Sequence, residues 1–314
     1  MWRRYRGSKQ RGHHPVVIRH MTQANDIAFY SALLQRHQYA FVDRVFTSEK
    51  MLEGMPIIPL VPKELRSDAE QMPALLPLGQ GAPYMSRLAA MMKAGEEDPS
   101  CNPVDTLIVV TPDIEQSRLE SHLISRLICL SPKRGKVYLR YFSSDVFPHL
   151  LRVFSPAHLK SLFGPHGEVR EWTYRFQNDW ITVPAPYVTE DVLPLAWVVT
   201  KGQLEALTIV GDVSRVLDTY QERIGRPWNS HAEWDAKARV AEISIGIAQN
   251  VCCLRDPIDL KTFALHALTY GERFYRHPSI ENILRDTASR PGAYHAATSK
   301  LTKNEWATVA ARDL

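Results

Sequence analysis

The sequence predicts an α/β (α+β) N-terminal domain with a small sheet flanked by helices, followed by an all-α C-terminal lobe. Up to about residue 198, strand-like apolar runs alternate with amphipathic helices, and after it only helical patterns occur. A length of 314 residues fits two domains. We place a basic flexible tail at 1–20, the α/β domain at 21–198 and the helical lobe at 199–314.

The basic charge of the chain is concentrated in its first 20 residues. This segment contains no acidic residue and six basic ones: Arg3, Arg4, Arg6, Lys9, Arg11 and Arg19. Removing these six from the 38 basic residues leaves 32 against 34 acidic residues. We expect the tail to be solvated and dispensable for folding. A body so close to neutral is atypical of a folded nucleic-acid binder.

The elements of the N-terminal quarter follow from apolar periodicity and breakers. An apolar stripe predicts a helix over Thr22–Gln38, and the β-prone run Tyr39–Phe46 predicts a strand. The segment 56–83 is dense in proline, which indicates irregular chain. A short helix followed by an acidic link is expected over 84–100.

The middle of the chain has the most regular pattern. The run Thr106–Val110 is typical of a buried central strand. Leucines at every fourth position then predict an amphipathic helix over Ile114–Cys129. A turn at Gly135 leads into a second strand, Lys136–Phe142, and a short helix is predicted around Asp145–Phe154.

The remaining elements are a helix, a hairpin and a helical lobe. Ser155 followed by Pro156 is a helix start, and the alternation of aromatic and polar residues over Glu171–Thr182 predicts a half-buried strand or hairpin. Four helices are predicted in the lobe, over 203–224, 232–250, 259–275 and 279–286.

Motifs for enzymatic chemistry are missing from the sequence. It contains no glycine-rich phosphate loop, no H-x-x-x-H pair and no G-x-S-x-G nucleophile elbow, so we predict no enzyme, no cofactor and no metal. An enzyme whose site converges from distant residues stays open as an alternative, with His122, Asp113 and Ser131 as candidates.

The cysteines and the hydropathy pattern bear on the compartment. Cys129 and the pair Cys252–Cys253 lie in apolar runs, where we expect buried free thiols. The chain has no glycosylation sequon and no run of 18 apolar residues, so we expect a cytoplasmic protein without a membrane partner.

Five large aromatic residues lie between 171 and 187. Two interpretations compete for them: one face of a sheet that fills the core, or the centre of a protein interface. The candidate partner-binding residues are Trp172, Phe176, Trp180 and Tyr187.

A longer pattern extends from residue 106 to Trp172. After the strand, the leucine-rich helix and the glycine turn come Arg140-Tyr141-Phe142, a helix start with Asp145, and a helix that ends at Phe163-Gly164-Pro165. In this order the features resemble the adaptor (effector chaperone, Tap/TEC-like) family of bacterial type VI secretion systems. The likeness covers roughly residues 22–290, including the Tyr39–Phe46 run and 268–286. The chain departs from the family where Ser143-Ser144-Asp145-Val146 replaces an Asp-Pro-Arg sequence.

The resemblance implies a non-enzymatic adaptor. Such a protein would bind the N-terminal segment of a secreted effector toxin in the cytoplasm and pass it to the trimeric spike protein, VgrG, with neither nucleic acid nor membrane as partner. Competing with it are the converging enzyme site and a nucleic-acid binder that uses the basic tail.

The residues of the pattern themselves predict structural roles. We expect Arg140 to pair with Asp145 across the junction of strand and helix, and Phe163 to pack beneath the strands. Gly164 is expected in a left-handed conformation where Pro165 ends the helix.

Overall fold

The structure is a computed structural model that describes residues 16–18, 27–98, 101–131, 135–177, 179–187, 197–288 and 290–310. The chain divides into two compact units, Met1–Lys201 and Gly202–Leu314. The first unit is a sheet with helices and the second is helical, which confirms the predicted fold class. The division lies three residues after the boundary predicted between 198 and 199.

An antiparallel sheet forms the centre of the first unit. Seven strands hydrogen-bond in the order β1-β9-β8-β5-β2-β4-β3, and β6 and β7 form a separate pair. The strands are β1 (Val16–Ile18), β2 (Tyr39–Val42), β3 (Ile58–Pro59), β4 (Ala74–Pro77), β5 (Val104–Val110), β6 (Ile128–Ser131), β7 (Gly135–Tyr138), β8 (Val169–Phe176) and β9 (Asp179–Pro184). The predicted central strand is thus β5, the fourth of the seven.

The sheet and the helices of the first unit together form two hydrophobic cores, one on each face of the sheet. The helices of the unit are α1 (Ile27–Arg36), α2 (Glu49–Leu52), α3 (Met85–Ala94), α4 (Gln116–Leu127), α5 (Phe147–Val153) and α6 (Pro156–Phe163). One core is largely aliphatic and joins Leu34 of α1 and Leu88 of α3 to Ala40 and Leu107 of the sheet. The other is aromatic, because Phe41 points away from Ala40 along β2 and meets the rings around Trp172.

The strands of the first unit differ from the sequence predictions in several places. The predicted tail contains β1, which pairs with β9; residues 1–15, 19 and 20 lie outside the described residues. The segment 56–83 is predicted as irregular chain because of its prolines, but it contains β4, which pairs with β2. The strand predicted over Lys136–Phe142 is only β7, and it pairs with β6 instead of joining the large sheet.

The second unit consists of helices around an aromatic core. They are α7 (Lys201–Thr208), α8 (Val210–Ile224), α9 (His231–Asn250), α10 (Pro257–Tyr270), α11 (Pro278–Thr287), α12 (Ala293–Thr298) and α13 (Lys303–Ala310). The sequence pattern runs α7 and α8 together and does not predict α12 or α13. The starts of α9 and α10 are capped, since the Ser230 and Asp256 side chains accept backbone N–H groups.

The cysteines have different environments. Cys129 is buried as expected, but Cys252 is only half-buried and Cys253 is exposed, which corrects the prediction for the pair. Cys253 has a φ of 56° in the turn after α9, so the chain carries it out of the apolar run. No helix within the described parts of the chain is long and apolar enough to cross a membrane.

Candidate functional site

Two of the four predicted partner-binding residues are buried. Trp172 is 0% and Trp180 is 1% exposed, so neither can contact a partner. The hairpin register places Trp172 opposite Val183 and Trp180 opposite Arg175, which puts the two indoles on opposite faces of the sheet. The interpretation of these aromatic residues as one face of a sheet places both indoles on the same side. This is wrong because the turn between β8 and β9 shifts the alternation.

Each buried tryptophan belongs to a different core. Trp172 stacks between Phe41 and Phe147, with ring centroids 5.3 and 5.0 Å away. Trp180 packs on the opposite face, in the cluster that contains Tyr30. The interpretation of these aromatics as core residues is therefore correct for both tryptophans.

The other two predicted residues keep accessible surface. Phe176 is half-buried at the end of β8. Tyr187 is 82% exposed and is the last described residue before 188–196. These two remain available for a partner contact.

The helix-ending motif has the structural role that the sequence predicts. Phe163 is 1% exposed and its ring lies 5.8 Å from that of Trp172. Gly164 has a positive φ of 105°, but its ψ of 125° lies outside the left-handed helical region expected for it. A Cβ at Gly164 would collide with the side chain of Glu168. Pro165 follows directly, outside α6.

Glu168 ties this turn to α4. Its carboxylate accepts the His166 backbone N–H at 3.0 Å and the Arg118 guanidinium at 2.9 Å. Burial works to raise the pKa of Glu168, but the bonds from Arg118 and the backbone N–H groups outweigh it and hold the pKa below its ordinary value. The ion pair joins residues 50 positions apart, and no local pattern in the sequence predicts it.

Arg140 pairs with Asp43 and not with Asp145. The guanidinium contacts the Asp43 carboxylate and lies over the rings of Phe46 and Phe142, 5.4 and 5.8 Å from their centroids. The prediction of an Arg140–Asp145 pair is wrong because Asp43 reaches Arg140 from the end of β2, 97 positions away in sequence. Within the described residues, the Asp145 carboxylate has neither an ion pair nor a hydrogen bond.

A tight turn after β2 exposes an apolar side chain beside this ion pair. The Asp43 carboxylate accepts the Val45 N–H at 3.2 Å, and the Asp43 carbonyl accepts the Phe46 N–H at 3.1 Å and the Thr47 hydroxyl at 2.8 Å. This Asx-type turn directs Val45 and Phe46 into solvent, where they are 55% and 69% exposed. The sequence pattern predicts a strand for both residues; Asp43, four residues before Thr47-Ser48, is the signal in the sequence for the turn.

A β-bulge places a further carboxylate next to the turn. Phe41 pairs with Thr106 and Val42 with Val104, so Asp105 is the extra residue in β5. A bulge redirects a side chain, and the Asp105 carboxylate lines the same solvent-open depression as Phe46 and Asp145. Its Oδ1 accepts the Asn102 amide at 2.6 Å, and Arg175 Nη1 lies 3.9 Å away.

Burial and neighbouring charges act on the Asp105 carboxylate in this depression. Partial burial raises the pKa of Asp105 to about 6, and the nearby carboxylates of Asp145 and Asp43 push it in the same direction, against the effect of Arg175. The Asp105 side chain nevertheless keeps 46% of its surface exposed. It is therefore open to an approaching cation.

We call this arrangement the Phe46 surface. Its members are an exposed ring, a guanidinium and three carboxylates: Phe46, Arg140, Asp43, Asp105 and Asp145. Chemically, it offers an apolar contact next to negative charge that is only partly compensated, a combination suited to an apolar side chain with a neighbouring cation.

The residues of the catalytic alternative lie in unrelated surroundings. His122 Nε2 is hydrogen-bonded to the Leu162 carbonyl at 2.9 Å, and burial lowers its pKa. Asp113 lies exposed between β5 and α4 with a φ of 63°. Ser131 ends β6, and its side chain lies outside the described residues.

Comparison with family models, with characterised proteins and with solved structures finds no match to this chain. The resemblance to secretion adaptors accordingly stays a prediction that is based on the residues quoted for it.

Proposed function

We propose that the protein is a non-enzymatic adaptor of a type VI secretion system. In the cytoplasm it binds a secreted effector toxin, through a segment near the toxin's N-terminus, and delivers it to the VgrG spike. The observation that carries the proposal is the Phe46 surface, because the segment that resembles the adaptors supplies two of its members, Arg140 and Asp145.

The geometry supports a protein partner. An exposed phenylalanine next to an arginine and at the rim of a depression has the composition of an interface hot spot. The Arg140 guanidinium lies over one face of the Phe46 ring. This contact restricts the ring before a partner binds, so that little conformational entropy is lost on binding. Apolar toxin surface covered in this way is protected from aggregation, and the toxin transfers when docking to the spike is more favourable.

Co-expression with the toxin encoded beside this gene tests the proposal. We expect each protein to capture the other from purified components at micromolar concentration. We expect Phe46→Ala to reduce capture at least tenfold. Ile243→Ala is the matched control, because it removes an apolar side chain that is 53% exposed in the second unit.

Two results would overturn the adaptor role. One is that the purified proteins ignore each other at micromolar concentration. The other is that secretion of the toxin continues unchanged in a strain that lacks this gene. Loss of capture with Ile243→Ala and not with Phe46→Ala would move the binding site away from the Phe46 surface.

A further inference from the structure

The charges of the Phe46 surface are unequally satisfied. Arg140 is committed to Asp43, and the carboxylate of Asp145 has no partner within the described residues. The guanidinium of Arg175 bonds the carbonyls of Gly95 and Gln177 and forms a longer ion pair with Oδ1 of Asp105, at 3.9 Å. Oδ1 of Asp105 also accepts the Asn102 amide, so the Asp145 carboxylate and Oδ2 of Asp105 are the acceptors that remain for a cation from outside.

The apolar part of the surface is adjacent to these carboxylates. Phe46, Asp105 and Asp145 line the same depression. Arg140 stacks on the Phe46 ring and leaves 69% of the residue exposed. A ligand that fills the depression meets a ring, which takes apolar or cationic groups, at the same time as the carboxylates.

The chemistry excludes other classes of ligand. Nucleic acid and acidic peptides would face Asp105 and Asp145. The cations that the described residues place next to these carboxylates, Arg140 and Arg175, are already paired with Asp43 and Asp105. A metal ion is not favoured either, because the described residues contain no group of three carboxylate, histidine or cysteine side chains placed to hold one. A side-chain cation satisfies the site with two carboxylates and no fixed coordination geometry.

We propose that the Phe46 surface recognises a segment of a partner protein in which an arginine or lysine lies within two residues of an aliphatic or aromatic side chain. The cationic group lies between Asp105 and Asp145, and the apolar side chain packs on Phe46. This deepens the proposed adaptor role by giving the chemistry of the bound segment, and it rests on that role only in taking a protein as the partner.

Selection of peptides tests this chemistry without the toxin. The probe is a phage-displayed library of random 12-residue peptides, selected against the immobilised full chain in 50 mM NaCl. We expect peptides with Arg or Lys near an apolar residue to be enriched at least fivefold over the unselected library. The enrichment should disappear in 500 mM NaCl, because exposed charge pairs are screened by salt.

Two variants make the test specific. The double variant Asp105→Asn, Asp145→Asn removes the charges and keeps the shapes, and we expect it to lose the enrichment of basic peptides. The control Glu49→Gln, Glu53→Gln removes two exposed acids outside the depression and should keep it. Melting temperatures of both double variants confirm that the fold is intact.

The results separate the inference from the adaptor role. Selection of acidic peptides, no enrichment of basic ones, or equal enrichment with the Asn variant would overturn the inference. Toxin capture that Phe46→Ala abolishes and the Asn variant leaves unchanged would also overturn it, while the adaptor role would stand. Enrichment of basic peptides by a chain that captures no toxin would support the inference and overturn the adaptor role.

Discussion

The aromatic clusters of the two units are built from similar residues, but they end differently. In the first unit, Trp172 stacks on Phe41, and the Phe41 ring lies 6.2 Å from that of Phe142. The Arg140 guanidinium covers Phe142 and also Phe46, which is exposed. A continuous series of ring contacts thus runs from the core to a charged surface.

The cluster of the second unit leads to the surface through a half-buried ring: Tyr275 lies 5.8 Å from Phe263 and under the guanidinium of Arg276. Phe263 lies at its centre, 4.9 Å from Phe274. His266 forms a 2.9 Å hydrogen bond with the Tyr294 hydroxyl and lies 4.3 Å from the Trp306 ring. Burial, with a smaller contribution from a nearby arginine, lowers the pKa of His266 to about 3, so the ring stays neutral.

The difference is the reason why we propose a binding site in the first unit and not in the second. Aromatic content alone does not distinguish a core from a binding surface, since both clusters have it. What distinguishes them is the last ring. It is the half-buried Tyr275 under Arg276 in the second unit, and the exposed Phe46 beside the Arg140–Asp43 ion pair in the first. Four predictions test this comparison.

The largest effects are expected from truncating the central rings. Phe163→Ala in the first unit and Phe263→Ala in the second should each reduce the free energy of unfolding by about 3–5 kcal/mol, because each removes a fully buried ring. Denaturant unfolding of the full chain measures both. A Phe163→Ala protein of unchanged stability that had lost only partner binding would show that the ring belongs to an interface.

Acid should destabilise both units through their buried histidines. Burial first, and then neighbouring arginines, lower the pKa values of His149 and His266 to about 3. In the unfolded chain these histidines take up protons near their ordinary pKa of 6.5, whereas in the folded chain they stay neutral. Their contribution to the free energy of unfolding is therefore fully present above pH 6.5 and is lost as the pH falls toward 3. Melting temperatures should fall over this range.

The matched variants assign the loss to each unit. His149→Gln should flatten the pH dependence of the transition of the first unit, and His266→Gln that of the second. Between pH 6.5 and 4, unchanged slopes in both variants would show that other groups cause the acid loss.

The sequence predicts the elements better than their partners. The run Thr106–Val110 and the four-residue leucine spacing after it are local signals, and they gave β5 and α4 correctly. The pair Arg140–Asp43 depends on chain segments that meet only in the folded protein, so the sequence favours the local candidate Asp145. The sequence does not predict the exposure of Phe46, because the turn after β2 contains neither glycine nor proline.

Phe46→Ala should separate binding from stability. The ring is mostly exposed, so we expect the free energy of unfolding to change by no more than about 0.5 kcal/mol. Binding of the toxin should weaken by about 2 kcal/mol, as for an interface hot spot. Calorimetric titration and thermal unfolding of the same protein measure the two quantities. A large loss of stability with unchanged binding would make the Phe46 ring an extension of the core.

The smallest effect is expected at Asp105, and its sign is the informative quantity. Partial burial, followed by the carboxylates of Asp145 and Asp43, raises its pKa in the folded chain to about 6, from an ordinary value of 3.8. The carboxyl group therefore contributes stability below pH 3.8 that is lost as the pH rises through 6. Asp105→Asn should raise the melting temperature slightly at pH 7.5 and leave it unchanged at pH 3.5. The side chain is half exposed, so solvent screening keeps the gain small.

A carboxylate whose charge lowers the stability of the protein at neutral pH is typical of a binding group, because the cation of a bound ligand offsets this loss. A lower melting temperature for Asp105→Asn at pH 7.5 would show instead that the contacts with Asn102 and Arg175 make this carboxylate a structural one. The Phe46 surface would then lose the negative charge that distinguishes it from the aromatic cluster of the second unit.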